Sequence, residues 1–222
     1  MRAAVRLLSA LAALILCLLA YTAGSWGLAD LFARQPRGAM KLWDAGKAMP
    51  GPGEVEAARG ALEAALRLKP GDPGIKEELG RVHTRAAAQP IGPRHVSPHA
   101  EAALSYFRAA VRERPVSSYA WAAMVTTQWR MRRVDAEFER ALQEAARLGP
   151  WEPEVQLAVA DAGLQSWQGL SEAAQRAVLA AIGRALRYQD AAVFALARRH
   201  GRLDVVCRAQ GVARSRFAYA CI

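Results

Sequence analysis

The sequence predicts an all-α protein: a single N-terminal membrane-spanning helix and, behind it, an α-solenoid of helix hairpins. Three observations carry this. The first is a run of 23 uncharged residues between Arg6 and Asp30. The second is a spacing of four, three and five residues that occurs three times and closes on a proline each time. The third is composition. Of 222 residues, 53% are hydrophobic and 23% charged, in long alanine-rich stretches. That supplies a packed core and excludes all-β, collagenous and wholly disordered chains.

Residues 1–6 form a short basic leader with Arg2 and Arg6, and residues 7–27 form the anchor. Twenty helical residues rise about 30 Å, the thickness of a bilayer's hydrocarbon core. Trp26 falls where a headgroup boundary belongs. A cleavable signal peptide is the competing reading, with Ala23-Gly24-Ser25 as its processing site. The apolar run is longer than such signals use, which favours a retained anchor. Cys17 follows Leu16, where lipoprotein processing wants a small residue, so Cys17 reads as one more apolar residue of the span.

Basic residues near the ends leave orientation open, with Arg2 and Arg6 before the span and Arg34, Arg37, Lys41 and Lys47 after it. A short basic leader before a first apolar helix stays in the cytoplasm. Cys207 and Cys221 suit an oxidising compartment. The expectation is therefore an N-terminus in the cytoplasm and a body in the periplasm. The net charge is +10. Residues 1–39 contribute +3 (Arg2, Arg6, Arg34 and Arg37 against Asp30), leaving +7 on the rest. Such an excess attracts anionic lipid, acidic polysaccharide or nucleic acid. No dense basic block occurs, so most arginines belong on solvated helix faces, and nucleic acid is not an expected partner.

Residues 28–53 read as a juxtamembrane connector ending in Pro50-Gly51-Pro52-Gly53. Residues 54–200 then repeat. Ala58, Leu62, Ala65 and Pro70 share their spacing with Ala103, Phe107, Ala110 and Pro115, and with Phe138, Leu142, Ala145 and Pro150. Four-then-three spacing puts three side chains on one helical face, and the proline stops the helix. After each proline comes a second helix carrying a medium apolar residue and then a small one: Leu79-Gly80, Met124-Val125, Val159-Ala160. The small residue lets the partner helix approach. Asp72-Pro73, Ser97-Pro98 and Asp135 are start signals.

These offsets resemble the tetratricopeptide repeat, a helix–turn–helix unit of 34 residues with alanines, an aromatic and a terminal proline. Trp121 stands at the repeat's usual tryptophan, where Lys76 and Gln156 stand in the other units. Its usual tyrosine is His83, Gln128 and Gly163 here. Gln89–Val96 is an insertion, and a fourth unit around Val178, Ile182 and Ala185 has Asp190 in place of proline. The resemblance implies an inner face made by the first helix of each pair. Its solvent positions map to Glu77, Arg81 and Arg85, then Tyr119, Trp129 and Arg130, then Asp161. Trp129 and Tyr119 could stack on a sugar or anchor a peptide, or Trp129 could be core at a helix end.

Catalytic and metal chemistry finds little footing. His95 and His99 are four apart but lack a third ligand at a recognised spacing, and read as surface histidines. His83 lies on an apolar face and reads as core. His200 before Gly201 reads as a helix C-terminus. Glu77-Glu78 and Glu137/Glu139 read as exposed, and there is neither a phosphate-cradling glycine loop nor a nucleophile elbow. The expectation is no enzyme, no cofactor and no metal. In residues 201–222, Cys207 and Cys221 enclose 13 residues, and a disulfide there would tie down the tail.

Trp151-Glu152-Pro153, Val155-Gln156, Trp167 and Val206-Cys207, behind a single N-terminal membrane helix, resemble bacterial accessory proteins of exopolysaccharide biosynthesis, the VpsP-like proteins. The resemblance implies a bacterial inner-membrane protein that assists polysaccharide polymerisation or export, with no assigned catalytic residue. The leading expectation is a scaffold binding protein partners of that machine. The alternative has Arg81, Arg85, Arg130, Tyr119 and Trp129 bind the anionic polysaccharide itself; a glycan-acting enzyme ranks third. Trp151 at its turn reads as a staple between neighbouring helices.

Overall fold

The computed structural model describes residues 2–88, 97–209 and 217–221. Ten α-helices are present among them: α1 (Arg2–Asp44), α2 (Pro52–Leu68), α3 (Pro73–Ala87), α4 (Pro98–Glu113), α5 (Ser118–Arg130), α6 (Ala136–Leu148), α7 (Pro153–Ser166), α8 (Glu172–Ala185), α9 (Asp190–His200) and the short α10 (Leu203–Cys207). There is no strand among the described residues. The expected insertion Gln89–Val96, with His95, lies outside them.

The prolines act one residue further upstream than simple termination implies. α2, α4 and α6 end just before Lys69, Arg114 and Gly149, and each of these precedes a repeat proline. The proline ring bars the residue before it from the helical basin. Accordingly Lys69 has φ −138° and ψ 71°, Arg114 −134° and 79°, and Gly149 −112° and 50°. α3, α4 and α6 each open on a side-chain acceptor. Asp72 Oδ1 accepts from the Ile75 amide at 3.1 Å, Ser97 Oγ from His99 at 3.3 Å, and Asp135 Oδ1 from Phe138 at 2.9 Å. Each removes one of the unpaired donors of a helix start.

Consecutive helices pack on one another from α1 to α5, and α5, α6, α7 and α8 continue the pattern. α3, α5, α7 and α9 also touch in succession, and α6 touches α8. Every apolar repeat position is buried: Ala58, Leu62 and Ala65 of α2, Ala103, Phe107 and Ala110 of α4, and Phe138, Leu142 and Ala145 of α6. Val178, Ile182 and Ala185 of α8 are buried likewise, although their unit lacks the proline. The small residues sit where helices come closest. A β-carbon on Gly80 would lie 2.4 Å from the Phe107 ring, and one on Gly163 would lie 2.3 Å from Val178.

The three residues at the repeat's tryptophan position are each held by their own polar contact. Trp121 Nε1 donates to the Pro115 carbonyl at 2.8 Å. Gln156, 35 residues on, donates its amide to the Gly149 carbonyl, so an amide does there what an indole does one unit earlier. Lys76 instead pairs with Glu113 across α3 and α4. At the other position, His83 meets His99 of α4, Gln128 Nε2 meets Glu137 of α6 at 2.7 Å, and Gly163 receives Val178 of α8.

The stretch expected as a connector is largely helix. α1 runs without interruption through Pro36 to Asp44, 43 residues or about 65 Å. The reason is a buried face at Ala29, Ala33, Pro36, Met40 and Trp43, spaced four, three, four and three, which packs on Val55, Ala58 and Leu62 of α2. That tertiary packing outweighs the cost of an internal proline. Arg37 adds a 2.7 Å ion pair to Glu78 of α3 and a 3.2 Å pair to Asp30. α2 then begins at Pro52, with Pro52-Gly53 in its first turn. Residues 6–44 include a stretch long and apolar enough to cross a membrane, none of it covered by the body.

At the far end, Cys207 and Cys221 are disulfide-bonded with their Cα atoms 5.5 Å apart. The bridge fixes the 3₁₀ turn at residues 218–221 against α10. Phe217 meets Phe194 of α9, ring centroids 5.6 Å apart.

Candidate functional site

α5, α7 and α9 leave a groove of about 360 Å³ between them. Its floor is made by small residues, Ala158 and Ala162 of α7 with Ala192 and Ala195 of α9. Alanine at these positions keeps the helices in register while leaving room above the backbone. Leu157, Leu196 and the Trp129 ring form apolar walls. Trp129 is part-buried against the core and also lines the groove. Its Nε1 is buried without a hydrogen-bond partner among the described residues, an uncommon state for an indole donor.

Polar groups gather at one side. Asp161 Oδ1 lies 2.7 Å from His200 Nε2, and His200 is largely buried at the end of α9. The next residue, Gly201, has φ 64° and closes the helix in the left-handed conformation that favours glycine. Arg199 also lines the groove, is exposed, and has no ion-pair partner among the described residues. The surface thus combines an apolar floor, one carboxylate hydrogen-bonded to a histidine and an available guanidinium.

Of the seven residues mapped to the inner face, the structure unites two in this groove, Trp129 and Asp161. Arg130 is exposed at the end of α5 and does not line it. Arg81 and Arg85 are not free cations: both bind the Asp44 carboxylate at the end of α1, Arg85 at 2.6 Å. Asp44 arrives from a helix that was expected to be connector, which is why the pairing was invisible. Glu77 likewise binds Arg114 at 2.9 Å and Ser117 at 2.8 Å. Tyr119 donates to Glu152 at 2.6 Å, and this hydrogen bond pushes the phenol up to about 12. Leu157, Leu196 and Arg199 were missed. The signal for Leu157 was the apolar-small pattern on the solvent side of α7, whereas Leu196 and Arg199 depend on where α9 packs.

The acidic pairs are not simply solvated. Glu78 is mostly buried, which raises its carboxyl above the usual range, the Arg37 guanidinium offsetting part of the effect. Glu137 accepts from Arg108 Nε at 2.7 Å as well as from Gln128, and Glu139 accepts from the Ser171 amide at 2.8 Å. Trp151 is not a staple: it is 73% exposed.

A second cluster joins α2, α3 and α4. His83 Nδ1 lies 3.1 Å from His99 Nδ1, and the His83 ring stacks on Tyr106 with centroids 5.4 Å apart. Burial lowers the His83 pKa, and the neighbouring His99 and Arg59 lower it further. Among the described residues no three His, Cys, Asp or Glu side chains converge as metal ligands. No protein-family model matches the chain, and no curated protein is significantly similar to it.

Proposed function

We propose that the chain is a membrane-anchored scaffold whose paired helices stack as a tetratricopeptide-like solenoid. Its α5–α7–α9 groove holds a peptide segment of a protein partner in exopolysaccharide biosynthesis or export, on the periplasmic face of a bacterial inner membrane. The observation that carries this reading is the groove itself, built from α5, α7 and α9, apolar in its floor and charged at one side. Grooves of this composition suit peptides presenting apolar anchors. Arg199 favours a carboxylate on the peptide, and the unpartnered Trp129 donor favours a carbonyl. The anchor contributes by confining the groove to the membrane, which raises its effective concentration near membrane-bound partners.

Direct binding of the polysaccharide draws less support. It needs Arg81, Arg85, Arg130, Tyr119 and Trp129 on one surface, yet Arg81 and Arg85 share the Asp44 carboxylate and Tyr119 is engaged by Glu152. The test is a photo-reactive amino acid at exposed Ala195, compared with one at exposed Arg176 on α8. Adducts specific to position 195 should contain a polymerase or export subunit of a polysaccharide machine. The reading fails if position 195 gives no protein adduct, or only those that position 176 gives.

A further inference from the structure

The anchor and the turns of the body meet at one level. Lys69 Nζ, in the α2–α3 turn, lies 5.1 Å from the centroid of the Trp26 ring. Trp26 marks the headgroup end of the span. Because α1 is continuous and packed on α2 beyond this point, the body has no flexible tether and keeps a fixed attitude to the bilayer. On the face of α1 turned away from α2, Leu28, Leu31 and Phe32 remain exposed, carrying the apolar surface about 9 Å past Trp26.

Since the helices alternate in direction, the α4–α5, α6–α7 and α8–α9 turns return to this same end. A chain of contacts traces the edge. Lys76 pairs with Glu113, Glu77 with Arg114, Tyr119 with Glu152, and Trp151 shares one cleft with Arg187 and Tyr188. Each of the three turns offers a large apolar side chain to solvent: Val116 at 71%, Trp151 at 73% and Tyr188 at 76% exposure. Val116 follows Pro115 as Trp151 follows Pro150, so the repeat itself projects them. Arg67, Arg112 and Arg187 stand at helix ends on the same edge, exposed and without ion-pair partners among the described residues.

We infer that this edge is a lipid-contacting surface. Val116, Trp151 and Tyr188 enter the headgroup layer of the membrane that holds α1, and Arg67, Arg112 and Arg187 meet anionic lipid headgroups beside them. Aromatic side chains with an apolar body and a polar tip favour that layer, and arginines near an anionic surface are attracted to it. A buried protein interface would not need the same row of features to start at Trp26. The inference concerns a different surface from the groove and stands whether or not the groove binds a peptide.

The test uses the full chain reconstituted in phosphatidylcholine vesicles with and without phosphatidylglycerol, using lipids brominated high on the acyl chain. Trp151 emission is isolated by difference from Trp151→Phe, and Trp26 emission, from Trp26→Phe, is the control for insertion. Trp151 should be quenched, and more strongly with phosphatidylglycerol present. The combined Arg67→Gln, Arg112→Gln and Arg187→Gln variant should lower the anionic-lipid preference of the docked state by about a hundredfold. Its quenching should then be alike in both vesicles. Quenching of Trp26 with none of Trp151 would overturn the inference. An anionic preference unchanged in the triple variant would overturn the role given to the arginines.

Discussion

The Phe107 ring of α4 lies directly on the backbone of Gly80 in α3, in the space a β-carbon would need. Phe107 is 1% exposed and closely surrounded, so it has nowhere to retreat. Gly80→Ala therefore sets two effects against each other. Alanine gains about 1 kcal/mol of helix propensity over glycine, while overpacking a core contact costs about 1–3 kcal/mol. A contact as short as 2.4 Å puts the cost ahead. Thermal unfolding of the detergent-solubilised chain should show Gly80→Ala less stable than the parent. In a Phe107→Ala background the same change should be neutral or stabilising, because only the propensity gain is left.

Gln156 joins three segments. It is 2% exposed, donates to the Gly149 carbonyl and accepts from Arg184 Nε at 3.1 Å. Arg184 also binds the Ala146 carbonyl at 3.0 Å, and its burial lowers the guanidinium pKa. Gln156→Leu keeps the volume but leaves the Gly149 carbonyl with only its 3.3 Å bond from the Glu152 amide and strands one guanidinium nitrogen. The expected loss is about 1–3 kcal/mol in chemical denaturation. Arg184→Leu together with Gln156→Leu should lose less than the sum of the two, since one orphaned group disappears.

Much of this architecture was legible. The 4-3-5 spacing fixed α2, α4 and α6 and their buried faces, because an apolar stripe and a proline are local signals. The second half of α1 was also written in the chain, as Ala29, Ala33, Pro36, Met40 and Trp43. Pro36 and Gly38 masked it, since both read as breakers when no packing partner is in view. The roles of Arg81 and Arg85 could not be read at all. Whether an arginine is free depends on a carboxylate 37 or 41 residues away, and helix periodicity says nothing of that distance. The groove was half legible for the same reason: Trp129 and Asp161 follow from the repeat, but Arg199 and Leu196 depend on how α9 closes the stack.

The His83–His99 pair should make stability depend on pH. His83 has a folded-state pKa below its unfolded value, because burial penalises the cation and His99 and Arg59 repel it. Below the ordinary histidine range the unfolded chain therefore binds more protons, and stability falls. The contribution is fully present above the unfolded pKa near 6.5 and is lost as pH falls from there towards the folded value. Glu56 and Glu63 of α2 oppose the shift without reversing it. The unfolding midpoint should drop between pH 7.5 and pH 5. His83→Gln, which places at this position the residue found at Gln128, should flatten that drop. An equal drop in the variant would assign the dependence elsewhere.

The disulfide gives the most direct chemical readout. Cys207 and Cys221 are bridged and Cys17 lies free in α1. The denatured chain should therefore titrate one thiol without reductant and three with it. A 14-residue separation corresponds to about 3 kcal/mol of loop-closure entropy removed from the unfolded state. Reduction should lower the midpoint by that order only if the tail unfolds together with the body. The Phe217–Phe194 contact couples them, so Cys221→Ser should destabilise α9 as well as expose the tail to protease. Hydrogen exchange at Val193, Phe194 and Ala197 would register the coupling. Unchanged protection there, with a cleaved tail, would show that the bridge secures only the last turn.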